Sequence, residues 1–264
     1  GRPSMGAWAS YGLGSANADL PTYVVVHGGQ VPSGGLQMTG EGFLPAAHGP
    51  SVLHPKGVVL QNIKPQEKRA GLQEDKLALL RQIDGKLQEQ RPDSALIASA
   101  VKNYEMAYRM QMAVPEVTDI SKESESIKEL YGLNSKFDNT RTYGAQCLMA
   151  RRLVEKGVRF VELTITTGNG DRWDQHGGLK NGHSKNALAV DQPIAALIKD
   201  LKSRGLLDST LIVFAGEFGR TPFAQGRDGR DHNPQGFSIW MAGGGIKGGT
   251  IYGATDEYGY HAIE

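Results

Sequence analysis

Two stretches of this 264-residue chain repeat one local grammar, and that repetition constrains the fold more than any other feature. From Asp138 an apolar set at helical spacing (Tyr143, Cys147, Ala150, Val154) runs to Gly157, and a strand-like run over 158–165 follows at once. From Ser184 a second set (Val190, Ile194, Leu197, Leu201) runs to Gly205, followed by an apolar run over 210–215. Glycine just past a helix takes the left-handed conformation that closes it. The run over 210–215 has no polar alternation, the pattern of strands that a parallel sheet buries on both faces. Pro193 is predicted to kink the second helix or restart it. Two helix–glycine–strand units in succession predict an α/β fold with a mainly parallel sheet flanked by helices.

The remainder is expected to belong to the same single domain spanning 1–264. Residues 1–64 are rich in Gly, Pro and Ser and offer one strand, 22–26, ending in His27-Gly28-Gly29. Residues 65–136 form a helical block: a helix over 67–89, a break at Pro92-Asp93, then a helix that Pro115 ends. Ile97, Val101, Tyr104, Tyr108 and Met112 stripe one face of that second helix and are read as core. A short helix is predicted near 122–130, and the α/β part occupies 137–264.

Bulk properties exclude several functions. A formal net charge of +1 offers no basic excess for nucleic acid or an anionic membrane surface. The longest apolar runs reach about seven residues, against roughly 20 for a bilayer span. Cys147 is the single cysteine, so no internal disulfide or multi-cysteine zinc site can form, and its helical setting predicts a buried thiol.

In open α/β sheets ligands bind beyond the carboxyl ends of strands, and polar residues gather there in this chain. After 158–165 come Thr166-Thr167-Gly168-Asn169-Gly170-Asp171-Arg172-Trp173-Asp174-Gln175-His176-Gly177-Gly178; after 210–215 come Gly216-Glu217-Phe218-Gly219-Arg220-Thr221-Pro222 and then Gly229-Arg230-Asp231-His232. Asp174 and His176 are two apart, so an extended backbone would direct both to one side. With Glu217 and His232 they make a candidate ligand set for a divalent cation such as zinc, manganese or calcium. Arg220 and Arg230, with Asp231 beside them, are candidates for holding an anionic ester, because guanidinium matches phosphate and sulfate oxygens. Each has a plainer reading: Asp174 and His176 as turn caps, Glu217 as an ion-pair partner of Arg220, Asp231-His232 as an ordinary loop pair. His27, His48, His54 and His183 read as structural.

Other motifs fail on context. Gly243-Gly244-Gly245-Ile246-Lys247-Gly248 matches the dinucleotide-binding fingerprint, but 249–252 reads as a strand where the fingerprint needs a helix, so the segment reads as a hairpin turn. The nucleotide-cofactor reading rests on this run alone. The chain has no G-x-S-x-G elbow and no phosphate-binding loop.

Four phrases carry a resemblance: Pro3-Ser4-Met5-Gly6-Ala7-Trp8-Ala9-Ser10-Tyr11-Gly12-Leu13-Gly14, Ala150-Arg151-Arg152-Leu153-Val154-Glu155-Lys156-Gly157-Val158-Arg159-Phe160-Val161, Glu217-Phe218-Gly219-Arg220-Thr221-Pro222 and Gly229-Arg230-Asp231-His232. They resemble the exported bacterial family catalogued as domain of unknown function 1501, over essentially the whole chain. The resemblance implies an alkaline phosphatase and sulfatase-like fold and a periplasmic or otherwise exported location. It also implies a metal-dependent hydrolase acting on a small-molecule or glycan sulfate or phosphate ester. By order along the chain, Asp174 and His176 resemble the first metal ligands of that superfamily, Glu217 its strand-end acid and His232 its last histidine. Phe218 departs from it, standing where two-metal members carry histidine. The resemblance further implies that both ends are cut away and that the nucleophile lies upstream, leaving this stretch inactive alone. A non-catalytic binding module on the same fold is the alternative expectation.

Overall fold

Tyr23–Val26 (β1) is buried along its whole length, its backbone paired on both edges and its side chains packed among apolar residues such as Met110, Val114 and Met149. Ser51–Leu53 (β2) and Phe160–Leu163 (β3) pair with it in the order β2-β1-β3, with Val25 opposite Val52 on one side and Glu162 on the other. The computed structural model describes residues 1–29, 34–56, 59–60, 69, 71–92, 94–165 and 173–263. The predicted strands over 22–26 and 158–165 are both present, and the three-stranded sheet is wholly parallel.

The described residues form two compact units. The first comprises 1–123 and 148–164 and contains the parallel sheet. Its helices are Met5–Leu13 (α1), Leu72–Gln90 (α2), Ala95–Thr118 (α3) and the end of Asp138–Glu155 (α5). Its core joins Val24, Val26 and Leu53 of the sheet to Met110, Val114 and Val117 of α3 and Met149 and Leu153 of α5. The second comprises 124–147 and 165–264, with Glu125–Leu130 (α4), the start of α5 and Leu179–Ser203 (α6). Its strands are Leu211–Phe214 (β4), Gly219–Arg220 (β5), His232–Asn233 (β6) and Trp240–Gly243 (β7). There the fully buried Tyr131 hydroxyl donates to Asp200 Oδ2 at 3.0 Å, and Arg204 Nε donates to Asp200 Oδ1 at 2.7 Å. No helix among the described residues is long and apolar enough to cross a membrane.

Both glycine caps form as the sequence predicts. Gly157 and Gly205 have positive φ, and the next residue's N–H reaches back to Leu153 and Leu201 respectively, satisfying carbonyls that the helix ends would otherwise leave open. The charged Ala150–Val161 phrase has a structural explanation as well. Arg151, almost fully buried, pairs with Glu123 and Glu155, while Arg152 contacts Glu123 and donates to the Val117 and Glu116 carbonyls.

Six expectations need correction or narrowing. Residues 1–64, read as offering one strand, also hold the helix α1 and the strand β2. The helix α3 runs through Pro115 to Thr118, since Arg152 caps its last carbonyls and Val117 is anchored in the core. Its core face is Met110, Val114 and Val117; Tyr104 is exposed, and Tyr108 donates its hydroxyl to Glu74. The helix α6 is continuous from Leu179 through Pro193, with no restart there. The strand β4 is not in the parallel sheet: it pairs antiparallel with β7, and Leu211 and Val213 remain exposed. An apolar run records burial tendency, not the direction of its partner. After β7, Gly243, Gly244 and Gly245 all have positive φ and make a turn; no helix follows, and 250–252 form no strand, with Ile251 and Tyr252 exposed. The turn therefore stands without its expected hairpin, and the dinucleotide reading loses its helix.

Candidate metal centre

The site is built from a tight loop and a two-stranded ribbon of the second unit. In the ribbon β5–β6, Arg220 lies directly opposite His232, and opposed residues of antiparallel strands share a face. The connecting segment folds back on the loop. Arg230 N–H donates to the Gln175 carbonyl (3.0 Å), Gly178 N–H donates to Asp228 Oδ1 (3.0 Å), and Gly229 packs so closely that a Cβ there would lie 2.0 Å from the His176 carbonyl oxygen. Gly229 is thus required as a contact surface, with its φ outside the left-handed region.

The loop itself is tighter than the extended segment expected. His176 N–H closes on the Asp174 carbonyl at 3.1 Å, and Trp173 sits at φ 66, a left-handed conformation costly for a bulky residue. The Trp173 ring packs edge-on against His183 of α6, with centroids 5.2 Å apart. Burial, reinforced by the charge of Arg220, keeps the His183 imidazole below the ordinary histidine range. Gln175 is buried, while Asp174 and His176 are about half exposed.

Asp174, His176 and His232 come together. The two Nε2 atoms lie 3.2 Å apart, and each is 3.0 Å from Asp174 Oδ1. A tetrahedral cation with bonds of 2.0–2.1 Å holds neighbouring ligand atoms about 3.3–3.4 Å apart, so the triangle is close to the size of one coordination face. Among the described residues this is the one group of three or more His, Cys, Asp or Glu side chains with donor atoms so gathered. His176 Nδ1 is 2.5 Å from Gln225 Oε1; with Nδ1–H donating there, Nε2 presents its lone pair to the triangle. His232 is braced by the Phe218 ring, with centroids 4.5 Å apart, so Phe218 packs against a candidate ligand where it cannot itself ligate. Arg220 contacts Asp174 Oδ1 through Nη1 and lies over Phe218, with Cζ 5.7 Å from the ring centroid. Burial raises the Asp174 carboxyl, but hydrogen bonds from Arg220 and His232 outweigh it and hold the group below the usual aspartate range.

The other candidates stand apart from the triangle. Glu217 is largely exposed and, among the described residues, its charged partner is Arg220 Nη2, at 3.8 Å. Arg230 turns its guanidinium to the Gly229 carbonyl. Asp231 is exposed, and its carboxylate accepts from the neighbouring His232 backbone N–H, while its backbone carbonyl accepts from Thr221 N–H across the ribbon. Gln225 carried no signal in the sequence, because a lone glutamine gains meaning only when the ribbon closes over His176. Residues 166–172, the first part of the polar cluster after the strand, lie outside the described residues.

No curated protein and no solved structure matches the chain. The profile of the family described as "Protein of unknown function (DUF1501)" matches residues 1–264, and the chain therefore belongs to that family.

Proposed function

We propose that this chain carries the cation-binding part of a metal-dependent hydrolase of sulfate or phosphate esters, of the alkaline phosphatase and sulfatase type. The observation that carries the reading is the triangle of Asp174 Oδ1, His176 Nε2 and His232 Nε2, sized for one divalent ion and oriented from behind by Gln225. These residue types suit zinc or manganese. A cation bound there would supply Lewis-acid polarisation of an ester oxygen. The chain's own contribution is to hold three donors in register, to let Phe218 fix the His232 ring, and to place the Arg220 guanidinium next to the cation position for an oxyanion. With three ligand atoms on a half-exposed face, the remaining coordination positions stay open, the arrangement of a catalytic rather than a structural site.

One observation favours a second reading. Asp174 is already paired by Arg220 and His232, as it would be in a non-catalytic binding module on this fold. Calorimetric titration with zinc or manganese separates the two. Uptake of one ion per chain, abolished in His232→Ala and Asp174→Ala, supports the hydrolase reading. A folded wild type that takes up neither ion refutes it.

A further inference from the structure

The arginine and the cation position compete for one atom. Asp174 Oδ1 is the carboxylate oxygen of the triangle, and Arg220 Nη1 contacts that same oxygen. A guanidinium at hydrogen-bond distance and a divalent ion about 2 Å from one oxygen are like charges in close proximity, so they repel. Arg220 is only one-fifth exposed, which leaves its charge incompletely screened by water. It also has somewhere to go. Nη2 already lies 3.8 Å from Glu217 Oε1, outside the triangle, so a modest rotation exchanges one carboxylate for the other.

We infer that Arg220 is a resident counter-cation whose displacement couples metal uptake to oxyanion binding, a regulation that rests on the function proposed above. Without a divalent ion the guanidinium neutralises Asp174. With the ion in place, Arg220 is released towards Glu217 with free N–H donors beside a second positive centre. That juxtaposition is unfavourable until an oxyanion lies between the two, accepting from Arg220 and facing the cation. Metal and oxyanion therefore raise each other's affinity, as linkage requires. Phe218 supports the mechanism, because its ring face offers the guanidinium a cation–π contact beside the triangle, with Cζ 5.7 Å from the ring centroid.

The test is zinc titration of the full chain by calorimetry, with and without saturating inorganic sulfate, at ionic strength matched with chloride. Wild-type zinc affinity is expected to rise about fivefold or more with sulfate. Arg220→Gln is expected to bind zinc more tightly than wild type without sulfate and to lose the sulfate effect. Zinc uptake that depends on His232 yet is indifferent to sulfate in the wild type overturns the inference while leaving the metal site standing. An Arg220→Gln protein that binds zinc more weakly than wild type also overturns it. Absence of zinc uptake by the folded wild type overturns the proposed function and this coupling together. The wild-type comparison needs no variant, so the result does not hinge on the folding of Arg220→Gln.

Discussion

Replacing Gly229 with alanine tests whether the ribbon positions the candidate ligands. A Cβ built there would lie 2.0 Å from the His176 carbonyl oxygen, 2.2 Å from its carbonyl carbon and 2.8 Å from Gly177 N. All three are backbone atoms, so no rotamer change relieves the clash. Separation to even a tight contact requires roughly 1 Å of movement between ribbon and loop, at an overpacking cost of about 1–3 kcal/mol. That movement acts on His176 itself and on two interactions that set its position, the Arg230 N–H to Gln175 bond and the contact of His176 Nδ1 with Gln225. Loss of such orienting partners lowers metal affinity about 10–100-fold, equivalent to roughly 1.4–2.8 kcal/mol. The assay is zinc calorimetry on Gly229→Ala and wild type, with circular dichroism to establish that the variant is folded and His232→Ala as the non-binding control. A folded Gly229→Ala protein with zinc affinity within about twofold of wild type would refute the claim that backbone contact at Gly229 sets the ligand geometry.

Further outcomes follow from other contacts. Gln225→Ala removes the acceptor at His176 Nδ1 and should weaken zinc binding about 10–100-fold with little change in thermal stability; equal affinity would dismiss the orienting role. Tyr131→Phe deprives the buried Asp200 carboxylate of a donor and should cost about 1–3 kcal/mol, read as a lower urea midpoint; an unchanged midpoint would count against the Tyr131–Asp200 bond. Burial raises the Glu123 carboxyl, but Arg152 and Arg151 outweigh it, so the folded-state pKa lies below the usual glutamate value. The stabilisation it contributes is therefore complete above the unfolded value of about 4.3 and is lost as pH falls from there through the lower folded value. Acid titration of stability should show a shallower loss in Glu123→Gln than in wild type over that window; parallel curves would exclude Glu123 as a contributor.

The Asp174–His176–His232 triangle was partly legible because its candidate donors lie in short, chemically dense phrases. Asp174 and His176 are two residues apart, and His232 follows a Gly-Arg-Asp run, so residue type and proximity were visible together. The means of convergence was not visible. The sequence suggested an extended strand, whereas the loop turns tightly at Asp174–His176 behind a left-handed Trp173 held by His183. Glu217 looked equivalent to the other candidates because strand-end position says nothing about side-chain direction; the structure places it beyond Arg220. Phe218 looked like a defect in a ligand set, and its service to the His232 ring emerges only once β5 and β6 pair.

Local chemistry by itself determined the existence of helices α2 to α6, the glycines that end α5 and α6, the strands β1 and β3 and the residue types able to hold a cation, because each depends on backbone preference or side-chain chemistry within a few residues. Tertiary structure alone decided that β4 pairs antiparallel with β7, that α3 buries Met110, Val114 and Val117, and that Gln225, Phe218 and Gly229 serve the site. Those outcomes depend on which surfaces meet across tens of residues, and a hydrophobic run or a lone glutamine encodes a tendency to be buried or bonded without naming its partner.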